Sequence, residues 1–349
     1  MNASRGGIAV NTRILAHELT GVQRYTREVL RHLPQEVETV APQQWASGPK
    51  GHAWEQLVLP TMLGGRVLWS PSNTGPLAVR RQVVTCHDIS QLDDPGSLRR
   101  TFASWYQFLL PRLYPRAAAI IAISDFTRQR IIEVLRIDPA KIHVIPHGVG
   151  EAFSPRPPDE CAAIREQFGL PERFVLTLGS LQPRKNLARL VEAWQRLPAG
   201  TRDGCALAIA GEAGAGQVFK TLALPELPPD IRLLGRVPDE GLPALMSAAT
   251  VFAHPSFYEG FGLPPLEAMA CETPVIAGNR TSLPEVVGDA GILFDPFDVD
   301  AIAAAIASLL DDEERARRLA VAGRTRASAF TWQRTATEVL DVLNTTAVA

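Results

Sequence analysis

The stretch "SFYEGFGLPPLEAMACETPVI", residues 256–276, sets two glutamates, Glu259 and Glu267, eight positions apart with Gly260, Gly262 and the adjacent prolines Pro264 and Pro265 between them. Neither a regular strand nor an uninterrupted helix tolerates that arrangement. The run before it, "TVFAHPS" (250–256), reads as a buried strand, and the residues after it, "PVIAG" (274–278), read as another. Between them a helix is expected over 264–271, with proline tolerated in its first turn. A strand, a glycine-bearing loop, a helix and a second strand in that order form the unit from which parallel sheets are wound.

The same alternation runs along the rest of the 349 residues. Strands are expected at 7–10, 67–70, 82–86, 118–124 and 142–146, then at 174–179, 206–211, 231–235, 250–256, 274–278 and 291–294. Helical patterns are expected at 21–33, 98–114, 125–136, 161–168, 186–197, 239–248, 264–271 and 298–309. Apolar strands separated by helices imply an α/β protein with doubly wound parallel sheets, and this many strands suggests two of them. The segment "PHGVGEAFSPRPPDE" (146–160), rich in proline and glycine, marks a linker. Two Rossmann-like domains are therefore expected, 1–155 and 156–330. The amphipathic tail 331–349 is expected to cross back onto the first.

Composition narrows the function. Hydrophobic content of 46% and charged content of 21% suit a globular protein, and a net charge of −2 argues against bulk binding of nucleic acid. The four cysteines lie apart with no metal-type spacing, which fits reduced thiols and a cytoplasmic location. The first residues carry no apolar leader, and no run of eighteen apolar residues is present. "DVD" (298–300) resembles a metal-binding motif, yet Asp298 as a helix cap and Asp300 in the first turn account for it, so no metal is expected.

Doubly wound domains bind ligands at the carboxyl ends of their strands, in the expected arrangement across a cleft. The loop "FYEGFG" falls at that rim, with Glu259 on the loop and Glu267 about one turn into the helix. Gly260 and Gly262 allow close backbone approach, and the helix start favours phosphate. A loop carboxylate, an amide cradle and a helix carboxylate able to grip a ribose diol together fit a nucleotide-sugar. A solvated loop residue is the plain alternative for Glu259, and a helix-dipole partner for Glu267.

At these residues the chain resembles family-four retaining glycosyltransferases, with their E-x7-E signature and GT-B fold of two facing Rossmann-like domains. "TGVQRY" (20–25), "TCHDIS" (85–90), "AISDFTRQRI" (122–131), "VIPHGV" (144–149) and "LTLGSLQPRKNLARLVEAW" (176–194) resemble further family segments in family order, and "LLGRVPDEGLPALMSAATVFAHPS" leads into the signature. The resemblance implies that Glu259 contacts the donor sugar and Glu267 the ribose. Phe261 and Gly262 would hold sugar hydroxyls, and Leu263 would offer its amide to the diphosphate. Lys185, with Arg184 beside it, would lie on the diphosphate. His87 would touch the sugar, Gly21 would approach the phosphates, and Val237 would line the nucleotide site. Two departures stand out: Ser180 where many relatives carry arginine, and His147 where they carry asparagine.

The implied activity is metal-independent, retaining transfer of a hexosyl unit, mannose or rhamnose, in polysaccharide assembly. The donor would be a GDP-, UDP- or dTDP-sugar, the acceptor a glycan or lipid-linked hydroxyl, and no separate cofactor is needed. A sugar-nucleotide epimerase or a non-catalytic nucleotide-sugar-binding subunit are the alternatives. Asp88 is expected either to cap the next segment or to position an acceptor. The segment 98–116 interleaves Arg99, Arg100, Arg112 and Arg116 with aromatics. It reads either as a core-packed helix or as a surface resting on anionic lipid at the inner face of the membrane.

Overall fold

A computed structural model describes residues 7–16, 20–35, 37–44, 46–93, 100–179, 182–211 and 228–348, and the side chains of 100–102 fall outside that description. The described chain forms two compact units, 1–148 with 330–349, and 149–329.

The first unit is built on six parallel strands: β1 (Ile8–Asn11), β2 (Glu38–Val40), β3 (Val67–Ser70), β4 (Gln82–Cys86), β5 (Ala119–Ala122) and β6 (Ile142–Val144). They lie in the order β2-β1-β3-β4-β5-β6. Every residue of β1, β3, β4 and β5 is buried, as strands covered by helices on both faces must be. β2 had no counterpart among the expected strands. It is a three-residue edge strand whose Glu38 and Thr39 are exposed and only Val40 buried, so it carries no apolar run to read.

The second unit repeats the plan with β7 (Arg173–Leu178), β8 (Cys205–Ala210), β9 (Ile231–Gly235), β10 (Val251–His254), β11 (Val275–Gly278) and β12 (Ile292–Phe294). All are parallel, in the order β12-β11-β10-β7-β8-β9. One face of this sheet meets Leu190, Val191 and Trp194 of the helix Leu187–Arg196 and Ile302, Ile306 and Leu309 of the helix Val299–Leu310. The crossover direction reverses between β7 and β10. In doubly wound sheets that reversal leaves a crevice beyond the strand ends, and the loops after β7 and β10 open there.

The closing helix Trp332–Val348 packs on the helix Gly21–His32 of the first unit. Its approach depends on Gly148, where an added Cβ would lie 2.2 Å from the Trp332 backbone nitrogen. Thr335 Oγ1 donates to the Pro146 carbonyl at 2.8 Å and ties the junction.

The helix over Arg100–Leu113 settles part of the reading of 98–116. Leu109, Leu110, Leu113 and Tyr114 are core residues, and Trp105 and Tyr106 pack against that core. Phe108 is 47% exposed, with the Arg112 guanidinium 4.1 Å above its ring. Arg99 lies outside the described residues.

Candidate active site

The β7 loop tightens into a single 3-10 turn, Pro183–Lys185, then hands over to a helix at Asn186. Asn186 adopts the left-handed conformation (φ 56°), which its short polar side chain tolerates better than most. That side chain donates from Nδ2 to the carbonyls of Pro255 (3.0 Å) and Pro296 (2.7 Å). The Phe257 amide donates to the Arg184 carbonyl at 2.8 Å. The two switch-point loops are thus laced together by backbone as well as side chains. Gly179, at the end of β7, leaves room for the Lys185 stem: a Cβ there would sit 3.3 Å from both Cγ and Cδ of the lysine. Ser180 lies outside the described residues.

This lacing delivers three charges to one point. Lys185 Nζ donates to Glu259 Oε1 at 2.7 Å, and Arg184 Nη1 donates to Glu259 Oε2 at 3.1 Å and to the Tyr258 carbonyl at 3.0 Å. His254, the last residue of β10, places Nε2 3.0 Å from Glu259 Oε1 and 3.2 Å from Ser256 Oγ. Glu259 and His254 are buried. Burial opposes ionisation of Glu259, but Lys185, the His254 hydrogen bond and Arg184 together outweigh it and hold the carboxyl well below its usual range. Burial draws His254 down, against the pull of Glu259, so its ring is neutral at pH 7. An ionised carboxylate only accepts, so the His254 proton sits on Nε2. Burial also lowers Lys185, with Glu259 opposing. One anion and two cations leave a net positive charge, half-open to solvent through Arg184, which is what an anionic ligand needs.

Beyond Glu259 the chain turns through Gly260 and the buried Phe261 into the helix Leu263–Ala270. Gly262 caps it at φ 113°, and a Cβ there would also meet Leu283 Cδ2 at 2.9 Å, so both backbone and space demand glycine. In the first turn Leu263 keeps its N–H while Pro264 and Pro265 have none, so the helix offers fewer amides than a helix start usually does. Glu267 follows, buried, one turn in. Ser282 Oγ braces the loop by donating to the carbonyls of Glu259 (3.0 Å) and Phe261 (2.7 Å), and the Glu259 amide donates to Thr281 Oγ1 at 3.2 Å.

Of the expected site residues, the structure therefore gathers Arg184, Lys185, Glu259, Gly260, Phe261 and Gly262 on the adjoining β7 and β10 loops, with Leu263 and Glu267 on the helix that follows. Val237 is buried beyond β9, at the far edge of the same sheet. Gly21 and His87 belong to the other unit. Gly21 opens the helix Gly21–His32, whose preceding residue Thr20 donates its amide to Gln23 Oε1 at 2.9 Å. His87 is buried against Tyr25 and His147, with ring centroids 4.9 and 5.5 Å away. Its Nε2 meets the Pro71 carbonyl at 2.8 Å, and burial lowers its pKa, so the ring is neutral and Nε2–H donates. Asp88 is a cap: its Oδ1 accepts from the Ser90 amide (3.0 Å) and hydroxyl (2.7 Å). Asp298 likewise accepts from the amides of Asp300 and Ala301, and Asp300 pairs with Arg196. No cluster of three or more possible metal ligands occurs among the described residues. His254, Asn186 and Ser282 were not among the expected residues. Asn186 was the most findable, as an asparagine placed between a turn and a helix.

The fold and this charged switch-point loop define a GT-B glycosyltransferase. The family description "Glycosyl transferases group 1" matches residues 162–326 and "Glycosyltransferase Family 4" matches 67–152, and the chain belongs to this family. It is 37% identical over 269 residues to the Escherichia coli O-antigen chain mannosyltransferase B, covering 76% of this chain and 71% of that one. It is 36% identical over 231 residues to the GDP-mannose-dependent alpha-(1-6)-phosphatidylinositol monomannoside mannosyltransferase of Mycolicibacterium smegmatis, covering 62% of this chain and 59% of that one. Among solved structures, Anabaena HepE in complex with UDP and glucose superposes with a TM-score of 0.77 at 21% identity, over 97% of this chain and 99% of that one.

Proposed function

We propose that the protein transfers a mannosyl unit from GDP-mannose to an acceptor hydroxyl of a growing glycan, with retention of anomeric configuration and without a metal. The observation that carries this is the Glu259 carboxylate held between Lys185 and Arg184 at the switch point, eight residues before Glu267, which lies one turn into the helix Leu263–Ala270. In this reading Glu259 binds the donor sugar, the backbone at Phe261 and Gly262 holds its hydroxyls, and the Leu263 amide meets the diphosphate. Glu267 accepts the ribose hydroxyls. Lys185 and Arg184 neutralise the departing nucleoside diphosphate, whose charge grows only as the glycosidic bond breaks. Glu259 shares its oxygens among three donors and so makes a poor nucleophile. Attack by the acceptor on the face the phosphate leaves, with a phosphate oxygen taking the proton, keeps the configuration without a covalent enzyme intermediate. Mannose is favoured over rhamnose by the two mannosyltransferases named above, and GDP over other nucleotides by the GDP-mannose dependence of the Mycolicibacterium smegmatis enzyme. Val237, buried beyond β9, lines the nucleotide in this reading.

The test is a thermal-shift screen of GDP, UDP and dTDP with their sugars. A ligand at a hundred times its Kd stabilises by about 2.7 kcal/mol, roughly 5–10 °C for a unit of this size. GDP and GDP-mannose are expected to give that shift, and the product anomer, read by proton NMR with GDP-mannose, is expected to be α. A shift with UDP alone would overturn the donor assignment.

No helix among the described residues is long and apolar enough to cross a membrane. A peripheral contact through the exposed Phe108, Arg112 and Arg116 is proposed to bring the enzyme to a lipid-linked acceptor. Each arginine near an anionic surface contributes about 1 kcal/mol. Arg112→Gln with Arg116→Gln is expected to lower co-sedimentation with anionic vesicles at low salt while leaving the melting temperature unchanged. Wild-type protein that ignores such vesicles would rule the contact out.

A further inference from the structure

Lys185 and Arg184 have two tasks that conflict. In the structure both hold Glu259, yet in the proposed reaction both must serve the leaving diphosphate. A carboxylate that lost both cations inside a buried site would rise in pKa or swing away from the sugar. One donor to Glu259 has no such second task. His254 sits at the end of β10, stacked on Phe252 with ring centroids 6.2 Å apart, and is 1% exposed. Its place is set by the central sheet rather than by a loop.

We infer that His254 is the positioning residue for Glu259: its Nε2–H holds Oε1 and keeps the carboxylate anionic and aimed while Lys185 and Arg184 turn to the diphosphate. The inference rests on the reading of Glu259 given above and adds to it a residue that touches neither substrate. Three observations favour this tautomer and task. Nε2 reaches Oε1 at 3.0 Å, and Ser256 Oγ lies 3.2 Å from the same nitrogen, so the side of the ring facing the loop is committed. The opposite nitrogen, Nδ1, is buried with no hydrogen-bond partner among the described residues, so none of them competes for the proton on that side. The charged groups acting on the ring are Glu259, Lys185 and Arg184, and neutrality suits a donor placed beside two cations.

The experiment compares His254→Leu, His254→Gln and Glu259→Ala with wild type, using GDP-mannose and a mannose-terminated oligosaccharide. Glutamine can place an amide N–H near the position of Nε2; leucine keeps bulk without the donor. His254→Leu is expected to lower kcat about 10–100-fold, as for loss of one hydrogen bond to a charged group. The Kd for GDP and the KM for donor should stay within about threefold. His254→Gln should recover most of the rate. Independently of activity, ring ¹⁵N shifts of His254, assigned by their loss in the glutamine variant, should report protonated Nε2 and bare Nδ1 with and without GDP. A leucine variant with wild-type kcat overturns the inference. So does a glutamine variant as impaired as the leucine one, since bulk would then matter rather than the hydrogen bond. A ring protonated at Nδ1 when GDP binds also overturns it. If Glu259→Ala itself retains wild-type turnover, the reading of Glu259 fails instead, and wild-type inactivity with GDP-mannose faults the donor assignment.

Discussion

Glu259→Ala is expected to lower kcat by at least a hundredfold while leaving affinity for GDP within about threefold, whereas Glu267→Ala is expected to weaken GDP binding by about 10–100-fold. The two glutamates share a loop and helix but face different chemistry. Glu259 is anchored by three donors at the switch point, where the sugar of a bound donor would lie. Deleting it removes contacts that strengthen as positive charge builds on the sugar ring, which is a cost in turnover. Glu267 lies buried in the helix Leu263–Ala270, and a lost pair of hydrogen bonds from a charged acceptor costs about 1.5–3 kcal/mol. The free Glu259→Ala protein should also melt earlier than wild type, because Lys185 is left as a half-buried cation without its Glu259 partner. GDP should restore part of that loss by supplying the anion. Isothermal titration with GDP and steady-state kinetics separate the cases. Equal loss of GDP affinity in both variants would break the division of roles.

Much of this was legible in the sequence, and the physical reason differs from feature to feature. Buried parallel strands announce themselves because both faces must be apolar, and eleven of the twelve strands among the described residues carried a readable apolar run, even where, as in β6, β9 and β12, burial is only partial. Edge strand β2 had nothing to announce: its exposed residues are Glu38 and Thr39. The helix Glu313–Ala327 was equally quiet. It buries Ala316, Ala320, Gly323 and Ala327, small residues that let it lie close to the helix bearing Glu267, and a Cβ on Gly323 would stand 3.2 Å from Met269. A stripe of alanine and glycine among arginines does not look like a core face. The glycines and glutamates of the signature were visible because their spacing is peculiar. The ion cluster was not, since Lys185 and Glu259 lie 74 positions apart and only the winding of the sheet brings them together. His254 looked like one more residue of an apolar strand. Asp88 stood between two readings until its bonds to Ser90 showed it capping the next turn.

Lys185→Ala is expected to cut kcat by a factor on the order of a hundred or more, comparable to removing an oxyanion donor. Two accounts of that loss must be told apart, because the structure shows Lys185 bound to Glu259 rather than to a ligand. If the lysine served only to hold the carboxylate, the double variant with Glu259→Ala would be no slower than Glu259→Ala alone, and GDP affinity would not change. If it also neutralises the diphosphate, GDP binding should weaken about tenfold or more, and the double variant should fall further than either single one. The second outcome is expected, because Glu259 has two other donors, His254 and Arg184, and can spare one. Lys185→Arg should rescue poorly. A planar guanidinium is wider than an ammonium, and the lysine stem already fills the space beside Gly179, with Cγ and Cδ only 3.3 Å from where a Cβ would be. The wild-type rate should be indifferent to EDTA or added Mg²⁺, since in the proposed reaction the two side-chain cations would do the work that a metal does in other transferases. A rate abolished by EDTA and restored by metal would mean that Lys185 and Arg184 hold Glu259 and little else.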